Sequence, residues 1–201
     1  MTALSHTVAA LMLLACLASC STVSMQARFD RYCQTAGLEV KQRLSGPQRV
    51  LLDRSEVVRP EHVKRNPFSL FDFVRARNVD YVDERTESGT RYRRYKKSVY
   101  SPEIVKDTDA NVLIKIEPLT TEADNDVDLY GQMMSISERP SGRLIATYRY
   151  FWTVAQGRLQ DYCPKAKADL LDVSAIALYI IGARGDGPDK YQLDTYLPSP
   201  R

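Results

Sequence analysis

The sequence predicts an α+β domain with an antiparallel or mixed sheet of about five to six strands and with N-terminal and C-terminal helices packed on one face. Apolar residues recur at three- and four-residue spacings near both ends of the chain and at two-residue spacings between them. Turn residues divide that middle part into paired segments. A composition of 44% hydrophobic and 26% charged residues is ordinary for a globular protein and excludes disorder on the scale of a domain.

The predicted elements are, in order, a helix over 24–44, a strand over 49–53, a short helix from Asn66, a hairpin over 79–86 and 91–100, a strand over 111–119, a hairpin over 129–138 and 143–154, and a helix over 164–181. Ser45-Gly46-Pro47 ends the first helix, since glycine caps helices and proline cannot continue them. Asn66-Pro67 begins the second, with asparagine as the N-cap. Pro118 ends the single strand, because it cannot donate a hydrogen bond.

The strands on either side of residues 139–142 form the strongest predicted pair. Arg139-Pro140-Ser141-Gly142 combines proline and glycine, which suit a tight reversal of the chain. The second strand carries Tyr148, Tyr150 and Trp152 among β-branched residues, as a packed strand requires. Exposed on the surface, these aromatic side chains would form an apolar patch for a protein partner.

The first nineteen residues have the features of a targeting sequence. Residues 1–19 contain no Asp, Glu, Lys or Arg, and residues 8–15 form an apolar block. The block has the length of a signal-peptide core and is shorter than the roughly 20 apolar residues that span a bilayer. We therefore expect residues 1–19 to be removed as a signal peptide.

Leu17-Ala18-Ser19-Cys20 closes this segment and resembles the lipobox of bacterial lipoproteins. The resemblance implies that Cys20 is lipidated, for example with palmitate, and anchors the protein to a membrane. Ser21 in place of aspartate favours the outer membrane, with the body facing the periplasm. The remaining chain is broadly similar to uncharacterised proteobacterial envelope lipoproteins, which have a cysteine in a helix near the anchor and a late strand pair turning at a dipeptide like Ser141-Gly142. That similarity carries no functional residue across.

The mature chain is thus predicted to have a short tether over 20–23, a single domain over 24–183 and an irregular tail over 184–201. Ser21 to Ser24 spans at most about 15 Å at 3.3–3.6 Å per residue. We expect the domain to lie close to the lipid surface.

Only two cysteines remain for the body of the protein, because Cys16 is removed with the signal peptide and Cys20 is lipidated. In an oxidising periplasm, Cys33 and Cys163 are expected to form a disulfide bond. The chain-entropy model assigns a loop of this length about 5 kcal/mol of stabilisation as an upper figure. The alternative is a pair of buried free thiols.

A basic run over 91–97 is the most conspicuous surface feature. Its cations are Arg91, Arg93, Arg94, Lys96 and Lys97. Interleaved with tyrosines, they would suit phosphate groups of a membrane surface. The opposite arm of the same hairpin carries Asp80, Asp83, Glu84 and Glu87. Opposite charges across a hairpin are ordinary sheet chemistry, so we favour a solvated, ion-paired hairpin and keep an anionic-surface site as the alternative.

The sequence offers no motif for catalysis, metal binding or nucleotide binding. It lacks a Walker loop, a Rossmann fingerprint and a GxSxG motif. His62, the only histidine of the mature chain, lies in a charged stretch and is assigned to the surface. The acidic run over 122–128 fails the calcium-loop pattern, because Leu129 and Ser135 stand where glycine and glutamate are required, and it is interpreted as a polar loop. We predict no catalytic residue, no metal and no cofactor.

These observations favour a non-catalytic binding or structural lipoprotein of the outer membrane, with a protein partner in the envelope. A formal net charge of +3 does not require nucleic acid, and none is predicted as a partner. One alternative is an envelope hydrolase with two suitably spaced carboxylates, or a lipid-binding protein with an apolar cavity. Another is an exclusion lipoprotein encoded by a mobile element.

Overall fold

The computed structural model describes residues 24–54, 70–86, 88–97, 101–124, 126–163 and 173–182. The predicted signal peptide, Cys20 with its tether, His62, the start of the helix at Asn66 and the tail over 184–201 lie outside these residues.

Three helices and nine strands make up this part of the chain. The helices are α1 (Met25–Cys33), α2 (Leu70–Arg75) and α3 (Val173–Ile180). The strands are β1 (Gly37–Val40), β2 (Gln48–Asp53), β3 (Val79–Arg85), β4 (Tyr92–Lys96), β5 (Glu103–Val105), β6 (Val112–Asp124), β7 (Val127–Glu138), β8 (Leu144–Ala155) and β9 (Arg158–Cys163).

All nine strands belong to one mixed sheet. Its order is β1-β8-β7-β6-β2-β3-β4-β5, and β9 pairs with β8 beside β1. β2 runs parallel to both of its neighbours, β3 and β6, and the other pairs are antiparallel. The longest pairing joins β6 to β7, from Val112 opposite Glu138 to Asp124 opposite Val127.

The predicted fold class is wrong in two respects. The sheet has nine strands instead of five to six, because β1, β5 and β9 form from segments in which no strand is predicted. The helices also do not share one face. Phe29 of α1 packs with Leu129 and Phe151 on one face, whereas Ile176 of α3 packs with Tyr150 on the other. Neighbouring residues of a strand point to opposite faces, which separates these two clusters.

The first helix ends at Cys33, eleven residues before the predicted end at Leu44. Gln34 is its C-cap, and Gly37 follows with a φ of 141°, a conformation that side chains other than glycine rarely adopt. From Gly37 the chain pairs with β8, and Val40 lies opposite Ala146. The apolar residues that suggest a longer helix therefore belong to an edge strand.

β6 continues past Pro118, where the strand is predicted to end. A β-bulge between Pro118 and Thr120 accommodates the residue that cannot donate to the ladder. The bulge also reverses the facing of the strand: Ile114 lies opposite Ile136 in the core, whereas Glu122 lies opposite Leu129 on the face that α1 covers.

The main core lies between the sheet and helices α2 and α3; we call this side of the sheet the core face. Its largest fully buried side chains include Leu52, Phe73, Ile114, Ile136, Tyr150, Ile176 and Ile180.

The aromatic residues of β8 belong to this core. Tyr148, Tyr150 and Trp152 are 2%, 1% and 5% exposed, and consecutive rings stack at centroid distances of 5.3 and 5.6 Å. Buried in this way, they do not form the exposed apolar patch that would mark a partner surface.

The opposite side of the sheet, which we call the open face, is more polar. Alternation places Met133, Ser135 and Ser137 of β7 on it, all of them half-buried. Among the described helices only α1 packs here, over the end of the sheet that contains Leu129 and Phe151. We call that end the anchor end, because α1 follows the predicted lipidated cysteine.

Candidate functional site

A cleft of about 560 Å³ lies at the other end of the open face, where β6 begins and β7 ends. One wall is the loop over 108–111, and the other is the turn that contains Glu138, Arg139 and Pro140. Leu113 and Ser137 line it from the sheet, where they lie opposite each other. Its volume falls within the range typical of sites for small ligands.

Asn111 fixes the two walls relative to β2. Its carbonyl accepts a hydrogen bond from the backbone N–H of Arg139 at 2.8 Å, and its own N–H donates to the carbonyl of Arg49 at 2.9 Å. The Oδ1 atom of Asn111 accepts from the N–H of Arg49 at 2.7 Å, and its Nδ2 donates to Gln48 at 3.2 Å. Both walls are therefore held by backbone and amide groups.

Asp109 is the first carboxylate of the cleft, and three donors surround it. It accepts from Arg49 at 2.5 Å, from Arg94 at 3.2 Å and from the hydroxyl of Tyr81. The Tyr81 hydrogen bond, assisted by the two arginines, lowers the pKa of Asp109 to about 2. Asp109 is thus ionised at neutral pH.

Arg94 links this carboxylate to the interior. It donates two hydrogen bonds of 2.8 Å to Asp83, whose side chain is fully buried, and its guanidinium lies 3.8 Å from the centroid of the Tyr81 ring. The hydrogen bonds to Asp83 raise the pKa of Arg94 further, so its guanidinium stays charged.

Glu138 is the second carboxylate, and it is also paired. It accepts from Arg143 Nε at 3.0 Å and Nη2 at 2.5 Å, and from the Ser141 hydroxyl at 3.3 Å. The bond from Arg143 lowers the pKa of Glu138. With both carboxylates ionised, neither suits the general-acid role that requires a raised pKa.

Arg139 lacks such a partner. Its Nη1 atom is buried and has no hydrogen-bond acceptor in the part of the chain that the structure describes. Around the cleft, Arg49, Arg94, Arg139 and Arg143 supply four positive charges against three negative charges. The excess positive charge therefore corresponds to Arg139, which is half-buried, and leaving one buried N–H donor without an acceptor costs about 1–3 kcal/mol.

The predicted basic run lies on and beside β4, and most of its cations are engaged. Lys96 binds Glu103 at 3.0 Å, Lys97 donates to the carbonyl of Arg77 at 3.0 Å, and Arg94 binds Asp83. Arg93 lies opposite Glu84 in the hairpin, and Arg91 is exposed just before β4. This arrangement is that of an ion-paired hairpin, and an anionic-surface site here stays a prediction.

The disulfide between Cys33 and Cys163 is confirmed. Their Cα atoms are 5.6 Å apart, and the bond joins the end of α1 to the end of β9. Phe29, Leu129 and Phe151 pack around it.

The acidic run is not the polar loop that the sequence suggests, since Glu122 and Asp124 belong to β6 and bind α1. Arg28 donates to Glu122 at 3.1 Å and to Asp124 at 2.7 Å, and the Tyr32 hydroxyl donates to Glu122 at 2.7 Å. Among the described residues, no group of three or more His, Cys, Asp and Glu could hold a metal ion. None of the helices described here is long and apolar enough to cross a membrane.

Sequence reasoning missed the cleft. Arg49, Asp109 and Arg139 are far apart in the chain and meet only because β2 pairs in parallel with β6. The one local signal is an arginine beside a proline in a tight turn, and it is too common to single out Arg139. Comparisons of the chain with protein-family models, with curated proteins and with solved structures find no match.

Proposed function

We propose that this protein is a lipid-anchored binding protein of the cell envelope, held at the outer membrane through Cys20 and facing the periplasm. In this proposal the cleft at Arg139 is its ligand-binding site. The observation that carries the binding role is the chemistry of this cleft: two fixed, ion-paired carboxylates beside one arginine without a partner.

The disulfide supports the location. Disulfides persist in oxidising compartments such as the periplasm and are rare in the cytosol. Cys33 lies thirteen residues after Cys20, so the bonded helix would begin close to the lipid. The apolar segment before Cys20 would deliver the chain to that compartment.

In this proposal the cleft and the anchor lie at opposite ends of β6. β6 begins at Val112 beside the cleft and ends at Asp124, which binds Arg28 of α1. Thirteen residues at about 3.3 Å each make this strand about 40 Å long. A ligand in the cleft would therefore be bound tens of ångströms from the lipid, and it is more naturally an envelope partner than a lipid headgroup.

A hydrolase is a poorer fit to the same cleft. Asp109 and Glu138 both have lowered pKa values, whereas glycoside hydrolysis needs one carboxylic acid with a raised pKa. The lining also contains the charged residues Arg49, Asp109, Glu138 and Arg139, which do not suit a lipid chain.

Lipidation of Cys20 can be tested by substitution in cells of a Gram-negative host. We expect the wild-type protein to incorporate labelled palmitate and to sediment with the outer membrane, and Cys20→Ala to lose both properties. Cys16→Ala is the matched control, since it lies upstream of the predicted cleavage site and should behave as wild type. Equal palmitate labelling and sedimentation of the Cys20→Ala and wild-type proteins would contradict the proposal.

A further inference from the structure

We infer that the cleft binds a carboxylate group of a peptide, and that Arg139 is the side chain that binds it. The inference rests on the proposed function only for the location, the cell envelope, in which the protein would encounter the peptide. The binding chemistry is argued from the residues of the cleft alone.

Arg139 has a hydrogen-bond donor without an acceptor among the described residues. Its Nη1 is buried without an acceptor among the described residues, although the three neighbouring arginines are each paired with a carboxylate. An arginine that is permanently charged favours an anion at this position. Arg139 as a whole is half-buried and lines the cleft, so an anion bound there would accept hydrogen bonds from its accessible N–H groups.

The charges of the cleft favour a carboxylate over a phosphate. Asp109 and Glu138 line the same cleft and are both ionised, so a dianion would meet two negative charges. A monoanionic carboxylate meets less repulsion. It also matches the planar guanidinium, which can donate two parallel hydrogen bonds to its oxygens.

The other residues that line the cleft suit a peptide. Thr108 Oγ1 accepts from the N–H of Ala110 at 3.2 Å, which leaves its hydroxyl hydrogen available to donate. Ser137 offers a second hydroxyl, and Leu113 and Pro140 offer apolar contacts. A peptide presents backbone polar groups and short side chains to such a surface, and the volume of about 560 Å³ suits a short segment.

The test uses the purified protein in detergent and a fluorescein-labelled tetrapeptide of alanine and glycine with a free C-terminal carboxylate. Fluorescence polarisation should show saturable binding, and the C-terminal amide of the same peptide should bind at least 10-fold more weakly. A tetrapeptide amide with one internal glutamate is the second arm. Tighter binding of this peptide would assign the site to a side-chain carboxylate, and tighter binding of the first would assign it to a chain terminus. Failure of both acidic peptides to bind better than the neutral amide would overturn the inference.

Arg139→Gln should weaken binding of the more tightly bound peptide at least 10-fold. Arg139→Lys should give an intermediate loss, because lysine keeps the positive charge but lacks the two parallel N–H donors of the guanidinium. Arg91→Gln is the matched control, an exposed arginine outside the cleft, and should change affinity less than 3-fold.

A thermal-unfolding scan separates this role from a structural one. Because Arg139→Gln removes a half-buried charge whose Nη1 atom lacks an acceptor among the described residues, its midpoint should be unchanged or raised, while its peptide affinity falls. Unchanged affinity in Arg139→Gln, or a lowered midpoint in both Arg139 variants, would assign the residue a structural role and refute the inference. All of these measurements use purified protein, so they are independent of whether Cys20 directs the chain to the outer membrane.

Discussion

The two ends of the open face contain the same kind of polar triad in different surroundings. At the anchor end, Glu122 accepts from the hydroxyl of Tyr32 and from Arg28. At the cleft end, Asp109 accepts from the hydroxyl of Tyr81 and from Arg49. Each triad joins a carboxylate to a tyrosine and an arginine that are distant in the chain.

The two ends differ in whether a hydrogen-bond donor lacks an acceptor. The triad of the anchor end lies beside a disulfide and a cluster that contains Phe29 and Phe151, and its arginine is shared between two carboxylates. The cleft end lacks such a cluster in the described residues and adds Arg139, whose Nη1 has no acceptor there. Similar interactions therefore stabilise the fold at one end and, in our proposal, hold a ligand site at the other.

The largest expected effect is the loss of the disulfide at the anchor end. Replacing both Cys33 and Cys163 by serine should lower the free energy of unfolding by about 2–5 kcal/mol, because the bond closes a loop across 130 residues of sequence. Denaturant unfolding of the wild-type and double-variant proteins measures the difference.

Reductant provides the control for this prediction. Wild-type protein in dithiothreitol should unfold like the double variant, and the double variant should not respond to dithiothreitol. The comparison of the two ends also predicts that the pKa of Asp109 stays low in the double variant, since the cleft lies at the far end of β6. A coupled rise in that pKa would show that the two ends are not independent.

A smaller effect is expected at Gly131, which lies against the ring of Phe151. A Cβ atom at this position would lie 2.4 Å from Cδ1 of Phe151 and 3.0 Å from Cγ2 of Thr120. Gly131→Ala should therefore cost about 1–3 kcal/mol of stability, the usual range for overpacking. The measurement is again denaturant unfolding.

A double-mutant cycle tests the stated cause. Phe151→Leu provides space beside residue 131, so the cost of Gly131→Ala should be smaller in that background. Equal costs in both backgrounds would show that Phe151 is not the obstacle.

Strands rich in β-branched, aromatic or other apolar residues could be predicted from the sequence, and edge strands could not. The hairpin of β7 and β8 and the strand β2 have clear patterns, and the structure contains all three. β5 and β9 are largely exposed, so selection for burial leaves no alternating pattern in them. In β1, three- and four-residue spacings of apolar residues suit a helix, and pairing with β8 overrides them.

The sequence pattern also could not predict which face of the sheet each helix covers or where the cleft forms. The apolar side of α1 has the same spacing whichever face of the sheet it covers, and the bulge after Pro118 turns Glu122 towards it without any signal in the spacing. The disulfide, by contrast, followed from the count of cysteines. The cleft depends on contacts between residues about 60 and 90 positions apart, which no local motif records.

The smallest expected effect is on the titration of the two carboxylates, and it tests whether the triads are equivalent. Each tyrosine hydroxyl is the main cause of the lowered pKa of its carboxylate. Tyr81→Phe should therefore raise the pKa of Asp109 from about 2 towards its ordinary 3.8, and Tyr32→Phe should raise that of Glu122. Carboxyl-detected NMR titration measures both values, with Tyr95→Phe as a control that leaves Asp109 unchanged.

The sign of the pH dependence follows from the direction of these shifts. A carboxylate with a lowered pKa in the folded state stabilises the fold above its unfolded-state pKa, and this contribution is lost as pH falls through the folded-state pKa. The Asp109 contribution should thus fade between about pH 4 and pH 2 in the wild-type protein. In Tyr81→Phe it should be largely absent, so stability should depend less steeply on pH in that window. An unchanged slope would show that the Tyr81 hydroxyl does not stabilise the ionised carboxylate, and that the resemblance between the two ends is only geometric.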